Sequence, residues 1–256
     1  MIVYGINPVL EALRAQRVAA LKVVPRAGGR VREILERAET EAIPITYVDA
    51  TVLDREAGGG VHQGVVAEVR PAAEYTVDDL VRGAQGPPLI VVLDGIEDPH
   101  NVGAILRAAD AAGADGVVRQ ARHAAPLGGA AAKASAGAIA HVRIATVVNI
   151  ARALEQLNEA GVWTVGLASD AALRYDQVDL RLPTAVVLGA EGVGLRRLVR
   201  ERCEVVASIP MHGRVDSLNV SVAAGIVLFE ALRQRQAAAP PGGGPPGGAT
   251  GAGRGD

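Results

Sequence analysis

The sequence predicts an α/β protein whose larger part is a parallel β-sheet covered by helices on both faces. Apolar residues make up 49% of the 256-residue chain and aromatic residues only 2%, so the core must consist of Val, Leu, Ile and Ala. Short apolar runs alternate with helical patterns, which is typical of parallel sheets. Three of the apolar runs lead into polar or glycine-rich turns, where ligands of such sheets usually bind.

Residues 1–70 predict a small α/β unit. We expect strands over 21–25, 45–49 and 64–69 and helices over 7–16, 31–42 and 51–58. Asn7 is expected to cap the first helix, with Pro8 as its first residue. No cluster of side chains in this unit predicts catalysis.

Residues 71–87 predict a linker, marked by proline and glycine, that holds one short helix. Residues 88–235 predict the parallel sheet, with strands expected over 89–93, 116–118, 163–167, 185–188 and 205–208. The intervening helices are expected over 101–112, 131–138, 150–160, 195–200 and 218–235. Residues 236–256 are almost wholly Ala, Pro and Gly, which predicts a disordered tail.

The composition limits the possible function classes. The net charge of −2 provides no global basic field, so a nucleic-acid partner would need a local patch. The single cysteine, Cys203, excludes an intrachain disulfide, and the histidines are not spaced as a metal set, so we expect no metal. No signal peptide and no run near about 18 apolar residues is found, so we expect a cytoplasmic protein without a membrane partner.

The first polar turn, DPHNVGAILRAAD over 98–110, follows the strand at 89–93 and starts a helix. Asn101 and Arg107 are six residues apart, a little under two helical turns, and we expect them roughly within one sector of the helix. An amide and a guanidinium at the carboxyl end of a strand could together grip a phosphate or an anionic oxygen. The alternative is an ordinary N-cap followed by a solvated arginine.

The second turn, GAEGVG over 189–194, contains glycines that would let backbone N–H groups approach a ligand closely. Its spacing is neither the dinucleotide fingerprint GxGxxG nor a P-loop. Glu191 is a poor neighbour for a phosphate but could meet a cation, or accept a proton or a hydrogen bond. The alternative is that the glycines only make a turn. The arginine-rich run 196–203 that follows predicts a solvated helix face or, alternatively, an RNA-phosphate contact.

The third turn leads from 208 into the long apolar helix expected to end at 235. Ser217 is expected to be the N-cap of this helix. Asn219 would then lie within the first turn, where helix propensity favours Ala or Glu. An unfavourable local choice hints at a functional task.

In their order and wording, the three turns resemble the motifs of the SpoU (TrmH) branch of the SPOUT RNA 2′-O-methyltransferases, over about residues 3–235. KASAGAIAHV also resembles this family, and VYGINPVLEAL and VHQGVVAEV resemble its small L30e-like RNA-binding domain. Within the family, the sequence is most similar to the enzymes that methylate a guanosine of 23S rRNA. Residues 119–123 depart from the family pattern.

The resemblance implies a SPOUT-type α/β fold with a deep C-terminal trefoil knot, preceded by the L30e-like domain, although knots are rare among folds. It implies a homodimer that acts on RNA, 23S rRNA in particular. S-adenosylmethionine would bind in the knot, and the cofactor-binding positions would be Leu188, Gly189, Gly192, Ile209, Met211 and Leu218. The family's functional polar residues would correspond to Asn101, Arg107, Glu191, Ser217 and Asn219.

The reaction so implied is methyl transfer from a sulfonium to a ribose 2′-hydroxyl, with a donor that is already activated. We expect Arg107 to hold the phosphate and the developing alkoxide rather than act as a base, because a guanidinium pKa above about 12 opposes deprotonation. Asn101 would orient Arg107 or the ribose, and Ser217 and Asn219 would shape the donor loop and the acceptor position. Glu191 would be a proton acceptor or a structural anchor.

Three other functions stay open at this point. A nucleotide-binding enzyme such as a dehydrogenase is disfavoured because neither unit has GxGxxG after its first strand. An RNA-binding homologue without catalysis is disfavoured by the presence of all five polar residues. A 2′-O-methyltransferase for tRNA or another rRNA site is a closer alternative, although the N-terminal domain disfavours a minimal tRNA enzyme.

Overall fold

A computed structural model describes residues 1–25, 28–70 and 74–238 of the chain. Its secondary structure forms two sheets, one from residues near the N-terminus and a larger one from residue 89 onward. Most of the predicted tail lies outside the described residues, but positions 236–238 are helical, so the helix continues three residues further than expected.

The first sheet has four strands in the order β1-β4-β2-β3. These strands are β1 (Ile2–Tyr4), β2 (Val18–Val23), β3 (Ile45–Tyr47) and β4 (Val65–Val69), and the helices between them are α1 (Ile6–Arg14), α2 (Gly29–Thr40) and α3 (Ala50–Glu56). The sequence did not predict β1, which pairs with β4 in antiparallel register.

The predicted cap of α1 is wrong. The helix begins at Ile6 after Gly5, whose φ of 90° favours glycine, and Asn7 lies in the first turn. Gln63 takes over the capping role, since its Oε1 accepts the Ile6 N–H at 3.0 Å. Asn7 Oδ1 instead accepts a hydrogen bond from Arg30 Nη2 at 3.0 Å. A contact across 57 residues therefore decided where this helix starts.

The segment predicted as a linker contains helix α4 (Val77–Arg82), which has a reciprocal capping box between Thr76 and Asp79. Val77 and Leu80 are buried against the second sheet, in one cluster with Val118 and Leu154. These residues therefore contribute to the core of the larger unit, and the division of the chain into domains stays a prediction.

The second sheet has seven parallel strands in the order β7-β6-β5-β10-β8-β11-β9, which confirms the predicted parallel sheet. The strands are β5 (Leu89–Asp94), β6 (Gly116–Gln120), β7 (Ile144–Val147), β8 (Trp163–Leu167), β9 (Leu173–Arg174), β10 (Thr184–Gly189) and β11 (Val205–Ser208). The sequence missed β7 and β9, which lie at the two edges and are only four and two residues long.

Helices cover both faces of this sheet: α5 (Pro99–Ala111), α6 (Gly129–Ala134), α7 (Ile150–Glu159), α8 (Arg197–Arg202) and α9 (Val220–Ala238). Alternate residues of β5 enter opposite core clusters, with Val91 in one and Val92 in the other. The predicted helix 131–138 is shorter than expected and is followed by a 3₁₀ turn, Ala138–Ala140.

The strand order positions the candidate site. Because β10 lies between β5 and β8, the turns that follow these distant segments meet at the carboxyl edge of the sheet. In register, Gly189 at the end of β10 pairs with Asp94 at the end of β5. The trefoil knot that the resemblance implies stays a prediction.

The smaller unit packs beside the segment that follows α6. Arg17 Nη1 donates a hydrogen bond to the Ile139 carbonyl at 3.2 Å, and His141 Nε2 lies 3.0 Å from Glu11 Oε2. The two sheets thus belong to one packed molecule.

Candidate functional site

A cavity of about 720 Å³ opens at the carboxyl ends of β8, β10 and β11. Small-molecule sites in proteins usually occupy roughly 300–1,000 Å³, so the cavity has the size of a cofactor site. All six positions predicted to contact a cofactor line it: Leu188, Gly189, Gly192, Ile209, Met211 and Leu218. Glu191, Ser217 and Asn219 line it as well, whereas Asn101 and Arg107 do not.

The glycine-rich turn after β10 folds back onto its own strand. The Gly194 N–H donates to the Ala190 carbonyl at 2.8 Å, and Gly192 and Gly194 have φ values of 73° and 70°. A Cβ on Gly189 would lie 2.1 Å from the Gly194 carbonyl carbon, so no other residue fits there without moving the turn. The glycines thus create the close backbone approach that makes this wall of the cavity.

Asn219, rather than Ser217, occupies the N-cap position of α9, which corrects both expectations. Its Oδ1 accepts the Ser221 N–H at 2.9 Å, and its carbonyl accepts the Ala223 N–H at 3.0 Å as the first helical hydrogen bond. Asparagine is among the residues most favoured at an N-cap, so this position carries no local penalty. Ser217 is exposed and its Oγ lies 3.3 Å from Asp216 Oδ1.

The Asn219 amide joins the three polar turns. Its Nδ2 donates to Asn101 Oδ1 at 2.9 Å and to Glu191 Oε1 at 2.6 Å. Asn101 is only 7% exposed, in the first turn of α5, where Asp98 caps the helix by accepting the His100 N–H. Side chains separated by 118 and 28 residues in sequence therefore form one hydrogen-bonded unit at the cavity.

Arg107 does not share a sector of α5 with Asn101. Each residue of an α-helix is rotated by about 100° from the one before it, so side chains six residues apart point roughly 120° away from each other. The expectation that Asn101 and Arg107 lie in one sector of the helix is therefore wrong. Asn101 is buried, while Arg107 is exposed and has no side-chain hydrogen bond or ion pair with any described residue. The guanidinium is therefore available to a partner outside the cavity.

The arginine-rich run after the glycine turn is not simply a solvated face. Four of its arginines form ion pairs with carboxylates: Arg196 with Asp94, Arg197 with Glu201, Arg200 with Asp170, and Arg202 with Glu155. Asp94 is fully buried whereas the Arg196 side chain is 46% exposed, so the first of these pairs links the interior of the sheet to the surface.

The sequence missed the segment after β8 as part of the site. Leu167, Ala168, Ser169 and Asp170 line the cavity, with Arg200 Nη1 bonded to Asp170 Oδ1 at 2.9 Å. That hydrogen bond lowers the pKa of the Asp170 carboxyl. The signal was present, because strand 163–167 was predicted and ligands of parallel sheets bind beyond such carboxyl ends.

The cavity lining is acidic. Asp170, Glu191 and Asp216 contribute three carboxylates, against the guanidinium of Arg200, which is already paired with Asp170. Such a lining favours a ligand with cationic groups and disfavours a pyrophosphate.

Within residues 1–25, 28–70 and 74–238, no three His, Cys, Asp or Glu side chains lie together as a metal site would require. In the same part of the chain, no helix combines the length and apolar character needed to cross a membrane.

Comparison with protein families identifies both units. Residues 88–229 match the SpoU rRNA Methylase family, and residues 2–75 match the model described as RNA 2′-O ribose methyltransferase substrate binding. The first match contains all three polar turns of the candidate site.

Similar proteins extend over nearly the whole chain. A 23S rRNA (guanosine-2′-O-)-methyltransferase RlmB of Pseudomonas aeruginosa is 45% identical over 239 residues, which cover 91% of this chain and 96% of the relative. A putative TrmH family tRNA/rRNA methyltransferase, YacO of Bacillus subtilis, is 41% identical over 91% of this chain and 95% of its own length.

Among solved structures, the SpoU methyltransferase AviRb of Streptomyces viridochromogenes in complex with AdoMet aligns with a TM-score of 0.80 at 26% identity. The alignment covers 93% of this chain and 91% of that one. Together with the sequence matches and the arrangement of the three turns, this likeness shows that the chain belongs to the SpoU rRNA methylase family.

Proposed function

We propose that this protein transfers a methyl group from S-adenosylmethionine to a ribose 2′-hydroxyl of RNA, at a guanosine of 23S rRNA. The observation that carries the proposal is the bridge from Asn219 to Asn101 and Glu191, which brings the three family motifs together at the cavity mouth. The curated relatives named as 23S rRNA guanosine methyltransferases, at 42–45% identity over most of the chain, support the choice of RNA.

The cavity fits S-adenosylmethionine. Leu188, Ile209, Met211 and Leu218 provide an apolar surface suited to an adenine ring, and the close-packed glycine turn offers backbone groups. The acidic lining suits the positive charges of a sulfonium and an ammonium group, and it opposes a dinucleotide. When bound, S-adenosylmethionine supplies a methyl group already activated on a sulfonium.

The residues of the chain then bind and orient the acceptor. Arg107, exposed and unengaged within the described part of the chain, contacts the RNA phosphate and stabilises the developing alkoxide. Asn101 accepts a hydrogen bond from Asn219 and lies away from Arg107. We therefore assign Asn101 to orienting the ribose rather than Arg107. Ser217, at the cavity rim, helps to shape the acceptor position.

Glu191 anchors Asn219 through Oε1. Its second carboxylate oxygen makes no hydrogen bond with any described residue, and it is the atom that would accept the hydroxyl proton. Glu191 can therefore be both the structural anchor and the proton acceptor that the sequence suggested.

A homodimer is also proposed. Phe229, the single phenylalanine of the chain, and Val222 are 50% and 49% exposed on α9. They are seven residues apart, so they share one helix face, and an apolar face of this kind is typical of protein interfaces. Because α9 starts at the cavity, the active site would lie near the dimer interface. Sedimentation of the wild type as a dimer and of Phe229→Glu as a monomer is expected.

Methylation of tRNA or of another rRNA site is the second candidate, supported by the name of the Bacillus subtilis relative. A TrmH/SpoU tRNA modifying enzyme of A. aeolicus aligns with only 63% of this chain, whereas two relatives named as 23S rRNA methyltransferases align with 91–92% of it. An RNA-binding protein without catalytic activity is the third candidate.

Mapping ribose methylation in total RNA from cells with and without the gene tests the proposal. One 23S guanosine should lose its methyl group and regain it when the wild-type gene is restored. A change confined to tRNA would refute the 23S assignment. Tight binding of NAD without binding of S-adenosylmethionine would refute the methyltransferase itself.

A further inference from the structure

An ion pair between the buried carboxylate of Asp94 and the half-exposed guanidinium of Arg196 lies behind the glycine turn. Asp94, the last residue of β5, is fully buried. Its Oδ2 accepts the backbone N–H of Arg196 at 2.9 Å, and its Oδ1 accepts Arg196 Nε at 2.6 Å and also contacts Arg196 Nη2. One carboxylate thus binds both the backbone and the side chain of a residue 102 positions away.

Gln120, the last residue of β6, completes the cluster. Arg196 Nη2 donates to its Oε1 at 2.6 Å. By strand alternation Asp94 and Gln120 lie on the sheet face of Val92 and Val118, which form one core cluster. The Asp94–Arg196–Gln120 cluster therefore ties the ends of two adjacent strands to the residue that follows the glycine turn.

None of these three residues lines the cavity, yet residues 189–195, which immediately precede Arg196, all do. One end of the turn is fixed because Gly189 pairs with Asp94 in the sheet. The other end is fixed because Asp94 accepts the Arg196 N–H. Asp94 thus holds both ends of the cavity wall without touching its contents.

Stability alone does not account for a carboxylate at this place. Burying a carboxylate is costly, and an apolar residue of similar volume could pack in its place, whereas the Arg196 guanidinium that compensates the charge is itself 46% exposed. What the ion pair adds is direction, because a carboxylate that accepts several N–H groups fixes their positions. The geometry suits a residue that sets the shape of the turn.

We infer that Asp94 and Arg196 are positioning residues that hold the glycine turn in the shape required to bind the methyl donor, with Gln120 as a secondary support. The inference rests on the proposed function. It places two positioning residues behind the cavity wall rather than in its lining, and it predicts an effect on donor affinity rather than on the chemical step.

The test is the variant Asp94→Asn, which keeps the size of the side chain but cannot accept all the N–H groups of Arg196. Its dissociation constant for S-adenosylmethionine, measured by calorimetry, is expected to rise about 30-fold. Its kcat at saturating donor and its KM for RNA should stay within about twofold of the wild type. A loss of kcat with unchanged donor affinity, or no change in either, would overturn the inference.

Arg235→Ala is the matched control. Arg235 donates to the carbonyls of Leu180, Pro87 and Pro88, at the opposite edge of the sheet from the cavity. Its loss should lower Tm as much as Asp94→Asn does, but should leave donor affinity unchanged. An equal loss of donor affinity in both variants would mean that general destabilisation, and not positioning, explains the effect.

Gln120→Leu and Arg196→Lys provide a second route if Asp94→Asn does not fold. Gln120→Leu removes only the secondary support and should weaken donor binding about threefold, while Arg196→Lys, which loses the guanidinium fork, should weaken it about tenfold. Wild-type affinity in both would overturn the inference. If the wild type itself does not bind S-adenosylmethionine, the proposed function fails, which is a separate outcome.

Discussion

Two substitutions of Asn219 distinguish its role as the N-cap of helix α9 from its role in the hydrogen-bonded bridge that joins the three motifs. The Oδ1 of Asn219 caps the helix, and its Nδ2 bridges Asn101 and Glu191. Asn219→Ser keeps a capping oxygen but is too short to bridge. Asn219→Ala removes both the cap and the bridge, so the two variants differ only in the cap.

The magnitudes follow from these contacts. Each of the two bridging hydrogen bonds contributes about 1 kcal/mol. Their loss should raise the activation free energy of methyl transfer by about 2 kcal/mol in both variants, which lowers the rate roughly 30-fold. A lost N-cap costs about 1 kcal/mol. For a protein of this size that lowers Tm by roughly 2–4 °C, so Asn219→Ala should melt that much below Asn219→Ser.

The assay is the transfer of a tritiated methyl group to rRNA at saturating concentrations of both substrates, with Tm measured on the same samples. Activity should be equally low in the two variants although their stabilities differ. Near-normal turnover in Asn219→Ser would refute the functional role of the bridge. Activities that follow Tm would show that the helix start alone matters.

Three further outcomes are expected. Arg107→Ala should lose most methyl transfer yet keep its affinity for S-adenosylmethionine and its Tm, because the side chain is exposed and lies outside the cavity; near-normal turnover would contradict its assignment to the RNA phosphate. Gly189→Ala should weaken donor binding at least about tenfold, because the added Cβ would lie 2.1 Å from Gly194. The control is Gly161→Ala: the residue has a φ of 75° and an added Cβ would meet no atom within 4 Å, so this variant should lose only about 1 kcal/mol of stability and bind the donor normally. Similar donor affinities in the two variants would disprove the close approach at Gly189. Burial, together with the charge of Asp94, raises the pKa of the Cys203 thiol to about 12, so the folded protein retains a proton that the unfolded chain releases above pH 9. The free energy of unfolding should therefore fall as the pH rises from about 9 to 12, by up to about 1.4 kcal/mol per pH unit more steeply in the wild type than in Cys203→Ala, and equal slopes in urea unfolding would contradict this.

The larger sheet was predictable because its central strands are buried on both faces. Such strands are continuous apolar runs, and five of the seven were recognised from the sequence. The strands β1, β7 and β9 lie at edges of the two sheets and were missed, whereas β3 and β11, of three and four residues, were recognised, so shortness alone does not explain the misses. The order of the strands was likewise not contained in any local pattern.

Helix starts were predicted less well than helices. Ser217 and Asn7 are good capping residues by type, but Asn219 and Gly5 occupy the two positions. Local preference distinguishes poorly between capping residues two positions apart. The tertiary contacts, with Gln63 in one case and with Asn101 and Glu191 in the other, decided the choice.

The sequence by itself determined the family to which the chain belongs, the turns that meet at the cavity, and nine of the 21 residues that line it. Those properties depend on residue types at short spacing, and they can be read along the chain. The tertiary structure alone decided that Asn219 joins Asn101 to Glu191 and that Asp94 meets Arg196. The physical reason is that local preferences act over a few residues, whereas these contacts exist only because β10 lies between β5 and β8 in the folded sheet.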